Sequence, residues 1–286
     1  MRKILLTLLI IALLFTPWAS VKGQPENLLE EVKELVQKLQ DLQHSGKYEE
    51  AIPYAQRLLG IIKRELPEDS SEVAMTITIL ANLYRNTGRY AEAEPLYKRA
   101  LEINEKTFGK DHASAATTLD NLAQLYQVTA RYSEAEPLFK RSLEIKEKAL
   151  GRDHPDVALG LNNLALLYQN TGRYGEAEPL YKRSLEINEK ALGKDNPAVA
   201  INLDNLAQLY QVTARYSEAE PLFKRSLEIK EKALGRDHPD VAITLNNLAL
   251  LYKNTGRYAE AEPIYKRALE INEKGFGRDN IGVATI

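Results

Sequence analysis

A 42-residue unit is written five times between about Ser70 and Asp279, and a looser copy precedes it. Tyr84, Tyr126, Tyr168, Tyr210 and Tyr252 keep that spacing, and so do Pro95, Pro137, Pro179, Pro221 and Pro263. A fixed period of this length predicts a solenoid, in which each unit buries its apolar face only against its neighbours. The expected fold is therefore all-α and repetitive, with an elongated binding surface instead of a closed pocket.

One unit is legible residue by residue. Ile77, Leu80, Ala81 and Tyr84 follow the i, i+3, i+4, i+7 spacing of one helical face, which places a first helix over about 73–86. Gly88 ends it at a turn. A second helix over about 90–107 carries the stripe Ala93, Leu96, Tyr97, Ala100 and Leu101. Pro95 falls about one turn into that helix, where a missing N–H costs little, and a local 3₁₀ turn is expected around it. The connector Gly151-Arg152-Asp153-His154-Pro155-Asp156 stops one unit and starts the next, with proline suited to the first helical position. Leu119 to Ala158 is identical to Leu203 to Ala242, so the copies also alternate in two-unit blocks. In those blocks Ala130 and Ala214 stand where other copies have the turn glycine. A turn that needs positive φ would strain alanine by about 1 kcal/mol, but their free alternation with glycine favours a φ that alanine tolerates.

Composition bounds the partners. Hydrophobic residues make up 44% and charged residues 27% of the chain, as in folded soluble proteins. The net charge of −2 and the lack of a basic run argue against nucleic acid as a ligand. Arg2, Lys3, the apolar run from Ile4 to Phe15 and Pro17 read as an export signal, with cleavage expected after Gly23 and an uncleaved anchor as the alternative. That run is too short to span a bilayer, so no membrane insertion is expected after cleavage. Removal of residues 1–23 leaves 35 basic against 40 acidic residues, a net −5. No cysteine is present, hence no disulfide and no lipid attachment site. The expected location is periplasmic or extracellular, in a bacterium.

The domain order that follows is a signal peptide at 1–23 and a divergent capping repeat at 24–69. Five repeats then run over 70–279 (70–111, 112–153, 154–195, 196–237 and 238–279). Residues 280–286 overlay the start of a further repeat, which suggests a fragment of something longer. One alternative is that the array is the recruiting or sensory arm of a larger bacterial enzyme or signalling protein with a protease-like domain. End-to-end self-association is another expectation.

Ala81, Gly88, Tyr90, Ala93, Tyr97 and Ala100 sit at the relative spacings of the small and aromatic positions of the tetratricopeptide repeat, which the chain resembles. The family unit has about 34 residues, so this one is longer. The segments Leu161 to Ala165, Tyr174 to Ile187 and Gly151 to Ala158 resemble more closely the kinesin light chain type of that repeat. The resemblance implies a right-handed superhelical α-solenoid of antiparallel helix pairs, serving as a protein-interaction scaffold. It also implies that the first helix of each pair lines the concave side. Carried over, this gives Thr78, Asn82, Arg85 and Asn86, then Asp120, Gln124, Gln127 and Val128, as groove residues. The later repeats give Asn162, Leu166, Gln169 and Asn170; Asp204, Gln208, Gln211 and Val212; and Asn246, Leu250, Lys253 and Asn254. A track of amides can satisfy an extended peptide backbone, because each carries donor and acceptor. A protein or peptide partner is thus expected.

Chemistry is not expected. His112, His154 and His238 share one connector slot, which Asn196 also fills, so they read as helix-start residues. Equivalent slots lie roughly 15–20 Å apart, too far to share a metal. No P-loop, Gly-x-Ser-x-Gly or His-Glu-x-x-His occurs, and no cofactor motif. The repeated tyrosines read as packing, and the charges of the second helices as a solvated face.

Overall fold

In the computed structural model residues 26–276 are described. They form twelve helices and, among these residues, no strand. The helices are α1 (Glu26–His44), α2 (Tyr48–Glu65), α3 (Ser71–Asn86), α4 (Tyr90–Phe108), α5 (Ala113–Val128) and α6 (Tyr132–Leu150). There follow α7 (Pro155–Asn170), α8 (Tyr174–Leu192), α9 (Pro197–Val212), α10 (Tyr216–Leu234), α11 (Pro239–Asn254) and α12 (Tyr258–Phe276). The signal segment and residues 280–286 lie outside the described residues. The chain divides into two compact units between Ile145 and Lys146, inside α6. Within each, sequence-adjacent helices pack as pairs in an all-α repeat solenoid.

In the first unit, Ala116, Leu119 and Ile145 form a buried cluster flanked by Leu101 and Leu138. In the second, Val199, Ala200, Leu203 and Ile229 do the same against Leu185 and Leu222. Ala81 and Ala93 are fully buried, the small residues that let paired helices approach. Each even-numbered helix contains its proline as the sixth residue of an unbroken α-helix, so the expected 3₁₀ turn is not formed. Pro95 and Ala91 are both exposed. The Ala91 carbonyl that loses its partner therefore stays near solvent, which keeps the cost of the lost bond low.

The helix starts are capped by their own connectors. Nδ1 of His154 and of His238 accepts the backbone N–H two residues on, at 3.1 Å in both cases. Asn196 Oδ1 does the same at 2.9 Å. These are the N-cap roles that the shared slot implied. The helix ends are Schellman turns: Arg89 N–H bonds Tyr84 O at 2.8 Å and Gly88 N–H bonds Arg85 O at 3.2 Å. That pattern forces the residue between them into the left-handed region, and Gly88 has φ 76°.

Ala130 and Ala214 make the same two bonds and are held at φ 57° and 58°. The turn is therefore not one that alanine tolerates freely, and these two positions are strained. Hydrogen bonds on both sides fix the geometry, so the alanine cannot relax it. Ala130→Gly and Ala214→Gly should each stabilise the protein by about 0.5–1 kcal/mol. Gly172→Ala should cost a similar amount, since a Cβ there meets nothing within 4 Å and only the backbone objects. Urea midpoints of the three variants check this.

Successive pairs are clasped by charge. Glu178 on α8 takes the Tyr210 hydroxyl at 3.1 Å and the Arg215 guanidinium at 2.6 Å, both from the following pair. Lys182 lies 2.7 Å from the same carboxylate. Arg215 also lies over the Tyr210 ring, 4.0 Å from its centre. The arrangement recurs at Glu94 with Tyr126 and Arg131, and at Glu220 with Tyr252 and Arg257. It is absent from the first junction, where Ile52 replaces the glutamate and Gln56 reaches the Tyr84 hydroxyl at 2.9 Å.

The Arg215 hydrogen bond above all holds Glu178 down from 4.5 to about 2, and Glu94 and Glu220 match it through Arg131 and Arg257. A carboxylate held low in the folded state stabilises above its unfolded value, and that contribution is lost as pH falls from about 4.5 towards 2. Glu178→Gln should therefore cost about 1–2 kcal/mol at pH 7, after solvent screening of a clasp near the surface. The gap between variant and parent should close near pH 2. A gap that persists there in urea titrations would show that shape, not charge, makes the contact.

Candidate functional site

The odd-numbered helices keep one narrow arc clear of packing. In the second unit, α7 presents Leu159, Leu166 and Asn170, α9 presents Ile201, Gln208 and Val212, and α11 presents Ile243, Leu250 and Asn254. Residues at i, i+7 and i+11 lie on one helical face. The arc is apolar as well as amide: Ile201 is 53% exposed, Val212 55%, Ile243 54% and Leu250 40%. In the first unit the same columns hold Met75, Asn82 and Asn86 on α3, and Thr117, Gln124 and Val128 on α5.

The amides expected in the groove divide between this arc and the interior. Asn86, Asn170, Lys253 and Asn254 are exposed, and Gln127, Gln169, Gln208 and Asn246 are half-buried. Asn82 accepts the Tyr97 hydroxyl at 2.7 Å, and Arg85 donates to Gln124 Oε1 at 3.0 Å. Gln211 is buried. Thr78, Asp120, Asn162 and Asp204 are buried too, because their column faces the partner helix. Two of the carried-over columns, those of Asn82 and Asn86, thus lie on the arc, and the column of Thr78, Asp120, Asn162 and Asp204 does not. Ile201 and Ile243 are not among the expected residues; their column is one of those that vary between copies (Met75, Thr117, Leu159, Ile201, Ile243).

The withdrawn column forms a buried polar layer. Asn162 Oδ1 accepts from Asn205 Nδ2 at 2.9 Å, and Asn188 Nδ2 donates to Asn202 Oδ1 at 2.6 Å. One repeat on, Lys230 Nζ donates to Asp204 Oδ2 at 2.6 Å and to Thr244 Oγ1 at 2.9 Å. The Thr244 hydroxyl donates to the same Asp204 oxygen at 2.8 Å.

Among the described residues no group of three His, Cys, Asp or Glu side chains is placed to hold a metal ion. An open hollow of about 690 Å³ at the connector, lined by Leu234 to Pro239 and Arg267, holds one histidine that is already engaged as a helix cap. Among the described residues no helix is long and apolar enough to cross a membrane.

Stacked helix hairpins with an open, amide-and-aliphatic face define a repeat scaffold of the protein-interaction type. The tetratricopeptide repeat model matches residues 72–148, 123–187, 156–232 and 211–274, and the chain belongs to that family. Its structure is similar to that of BtubC (BKLC) from P. vanneervenii, with a TM-score of 0.65 at 25% identity over 85% of this chain and 94% of that one. It is also similar to a putative kinesin light chain of Podosopora anserina with nearly identical TPR-like repeats. That TM-score is 0.61 at 27% identity, covering 72% of this chain and 98% of the other. The apo form of RapI shares the fold alone, with a TM-score of 0.66 at 17% identity over 96% of this chain and 93% of that one. No curated protein matches the chain.

Proposed function

We propose that the protein is an exported, non-enzymatic scaffold that holds a protein or peptide segment against the face of α7, α9 and α11. The observation that carries this reading is the exposed aliphatic column through Ile201, Ile243 and Leu250, set between half-buried amides. Solitary exposed aliphatics are ordinary, but a column repeated on adjacent helices makes a strip. The amides Gln169, Gln208 and Asn246 can satisfy the backbone of an extended ligand, while the aliphatics take its apolar side chains. The face is preformed, so ordering costs fall on the ligand. The export signal at 1–23 supports action outside the cytoplasm, in the periplasm or the medium.

Panning a phage-displayed peptide library on the full chain tests the site. Enriched peptides should carry aliphatic side chains, and Ile243→Asp with Leu250→Asp should weaken them by about tenfold or more. The unfolding midpoint should move by less than about 0.5 kcal/mol equivalent, because both residues are open to solvent. Peptides indifferent to that double change would remove the face from the binding surface. Mass analysis of the protein from an exporting host should find Gln24 as its first residue.

A further inference from the structure

A second set of exposed apolar side chains stands where the connectors leave the even-numbered helices. In the second unit these are Leu150, Leu192 and Leu234, exposed by 40%, 41% and 38%. Each is followed by a glycine, with φ of 86°, 88° and 92°, and then by a cation: Arg152, Lys194 and Arg236. The connectors are strapped down. Arg183, Arg225 and Arg267 donate to the backbone carbonyls of those three cations at 3.3, 3.2 and 3.1 Å. Leu234, Arg236 and Arg267 line the open hollow of about 690 Å³ at the connector between α10 and α11. Leu150, Arg152 and Arg183 repeat the same residues at the connector before α7.

Charge along this edge is unbalanced. Glu147, Glu189 and Glu231 are taken by Arg183, Arg225 and Arg267. Asp153 and Asp195 are taken by Lys190 and Lys232, both at 2.7 Å, and Asp237 by Lys274 at 3.2 Å. Asp156 and Asp240 sit in the first turns of α7 and α11, where the helix dipole favours an acid. Arg152 and Arg236 are left over: they are 79% and 78% exposed, and their glutamate contacts are 3.8 and 3.7 Å long. Lys194 is exposed and meets no carboxylate among the described residues. The helix ends do not need these cations, because Lys148, Lys190 and Lys232 already occupy the last turns. Nor does the connector, since the first copy closes its own with Glu68 in that place.

We propose that this connector edge docks an acidic, aliphatic segment of another protein. Its carboxylates meet Arg152, Lys194 and Arg236, and its apolar side chains cover Leu150, Leu192 and Leu234. Charge complementarity selects the occupant, because the edge has spare cations and its acids are engaged. The strapped backbone holds leucine and cation in place beforehand, so little order is lost on this side of the contact. A bilayer is the poorer fit: each leucine is more than half covered by its own surroundings and does not reach out into lipid. The edge shares no residue with the face of α7, α9 and α11 and does not depend on it.

A phage-displayed peptide library panned on the full chain is the probe, and its clones are sorted on two sets of variants. One class should be rich in aspartate, glutamate and aliphatic residues. Its affinity should fall about tenfold or more when Arg152→Glu, Lys194→Glu and Arg236→Glu are combined, and similarly for Leu150→Ser, Leu192→Ser and Leu234→Ser combined. The glutamine versions of the three cations should give a smaller loss. Raising the salt from about 0.05 to about 0.5 M should weaken this class severalfold. Ile243→Asp with Leu250→Asp should leave it unchanged, which separates the edge from the groove. The charge variants should keep the parent's unfolding midpoint, since all three cations are exposed. Absence of an acidic class, or an acidic class indifferent to the triple charge reversal, overturns the proposal. Flotation of the protein with phosphatidylglycerol vesicles that the same reversal abolishes would install a lipid surface as the occupant and overturn it too.

Discussion

Lys230→Met is expected to destabilise the second unit by about 3–5 kcal/mol. Lys230 and Asp204 are both buried, and their contact is 2.6 Å. Removing the ammonium strands a carboxylate in the interior with only the Thr244 hydroxyl on Oδ2, while Oδ1 has no hydrogen-bond partner. The cost is that of an uncompensated buried charge more than of a lost attraction. Asp204→Asn combined with Lys230→Asn should recover the stability to within about 1 kcal/mol. The chain already contains that solution. Asn104 Nδ2 donates to Thr118 Oγ1 at 3.0 Å, as an asparagine at 230 can donate to Thr244. Guanidinium unfolding of the single and double variants decides it. A double variant no better than Lys230→Met would mean that the layer cannot exchange its chemistry.

The same pair gives a physical meaning to the two-unit alternation in the sequence. Copies with aspartate in this column, Asp120 and Asp204, have lysine on the paired helix, Lys146 and Lys230; copies with Asn162 and Asn246 have Asn188 and Asn272. Asp204 and Lys230 meet Thr244 of the following pair, whereas Asn162 and Asn188 meet Asn202, so slipping the array by one repeat would set the charged pair against an asparagine. Near-identical repeats run the risk of mispairing, and an alternating charged layer penalises the wrong register. Its cost in desolvation is offset by that discrimination, in the way a single buried polar residue fixes register in coiled coils.

How much of this was legible in the sequence depends on the distance over which each feature acts. Local features were: the helix faces, the His and Asn caps, and the glycine turns all follow from residues within one turn of each other. Ala130 and Ala214 misled, because their alternation with glycine looked like tolerance, whereas the paired bonds to Gln127 and Tyr126, and to Gln211 and Tyr210, impose the left-handed φ on whatever residue is there. The clasps were hidden because their members lie 32 and 37 residues apart. A signal did exist: Glu94, Glu136, Glu178, Glu220 and Glu262 recur without exception after the first copy, which a merely solvated face would not require. The inward turn of one expected column has a related reason. A helix flanked on two sides exposes a narrower arc than a helix on a free surface, so Asn162 and Asp204 turned inward and Ile201 and Ile243 outward.

Phe223→Ala is the other large effect, about 3–5 kcal/mol, because the ring is fully buried and the helices around it can close the space only partly. The same column permits a test of opposite sign. Tyr97 and Tyr181 occupy the position of Phe223, and both are fully buried. Tyr97 donates its hydroxyl to Asn82. In the repeat of Tyr181 the residue equivalent to Asn82 is Leu166, and the Tyr181 hydroxyl has no hydrogen-bond partner among the described residues. Burial accordingly pushes the Tyr181 phenol well up from its ordinary value. Tyr181→Phe should therefore leave stability unchanged or raise it by about 1 kcal/mol, since it removes an unsatisfied polar group and keeps the ring. Tyr97→Phe should lower stability by about 1 kcal/mol, since it strands the Asn82 oxygen. Thermal and urea unfolding of the two phenylalanine variants side by side isolates the hydroxyl from the ring. Equal losses at both positions would mean that the Tyr181 oxygen is satisfied in solution and that the column is uniform in chemistry as well as in shape.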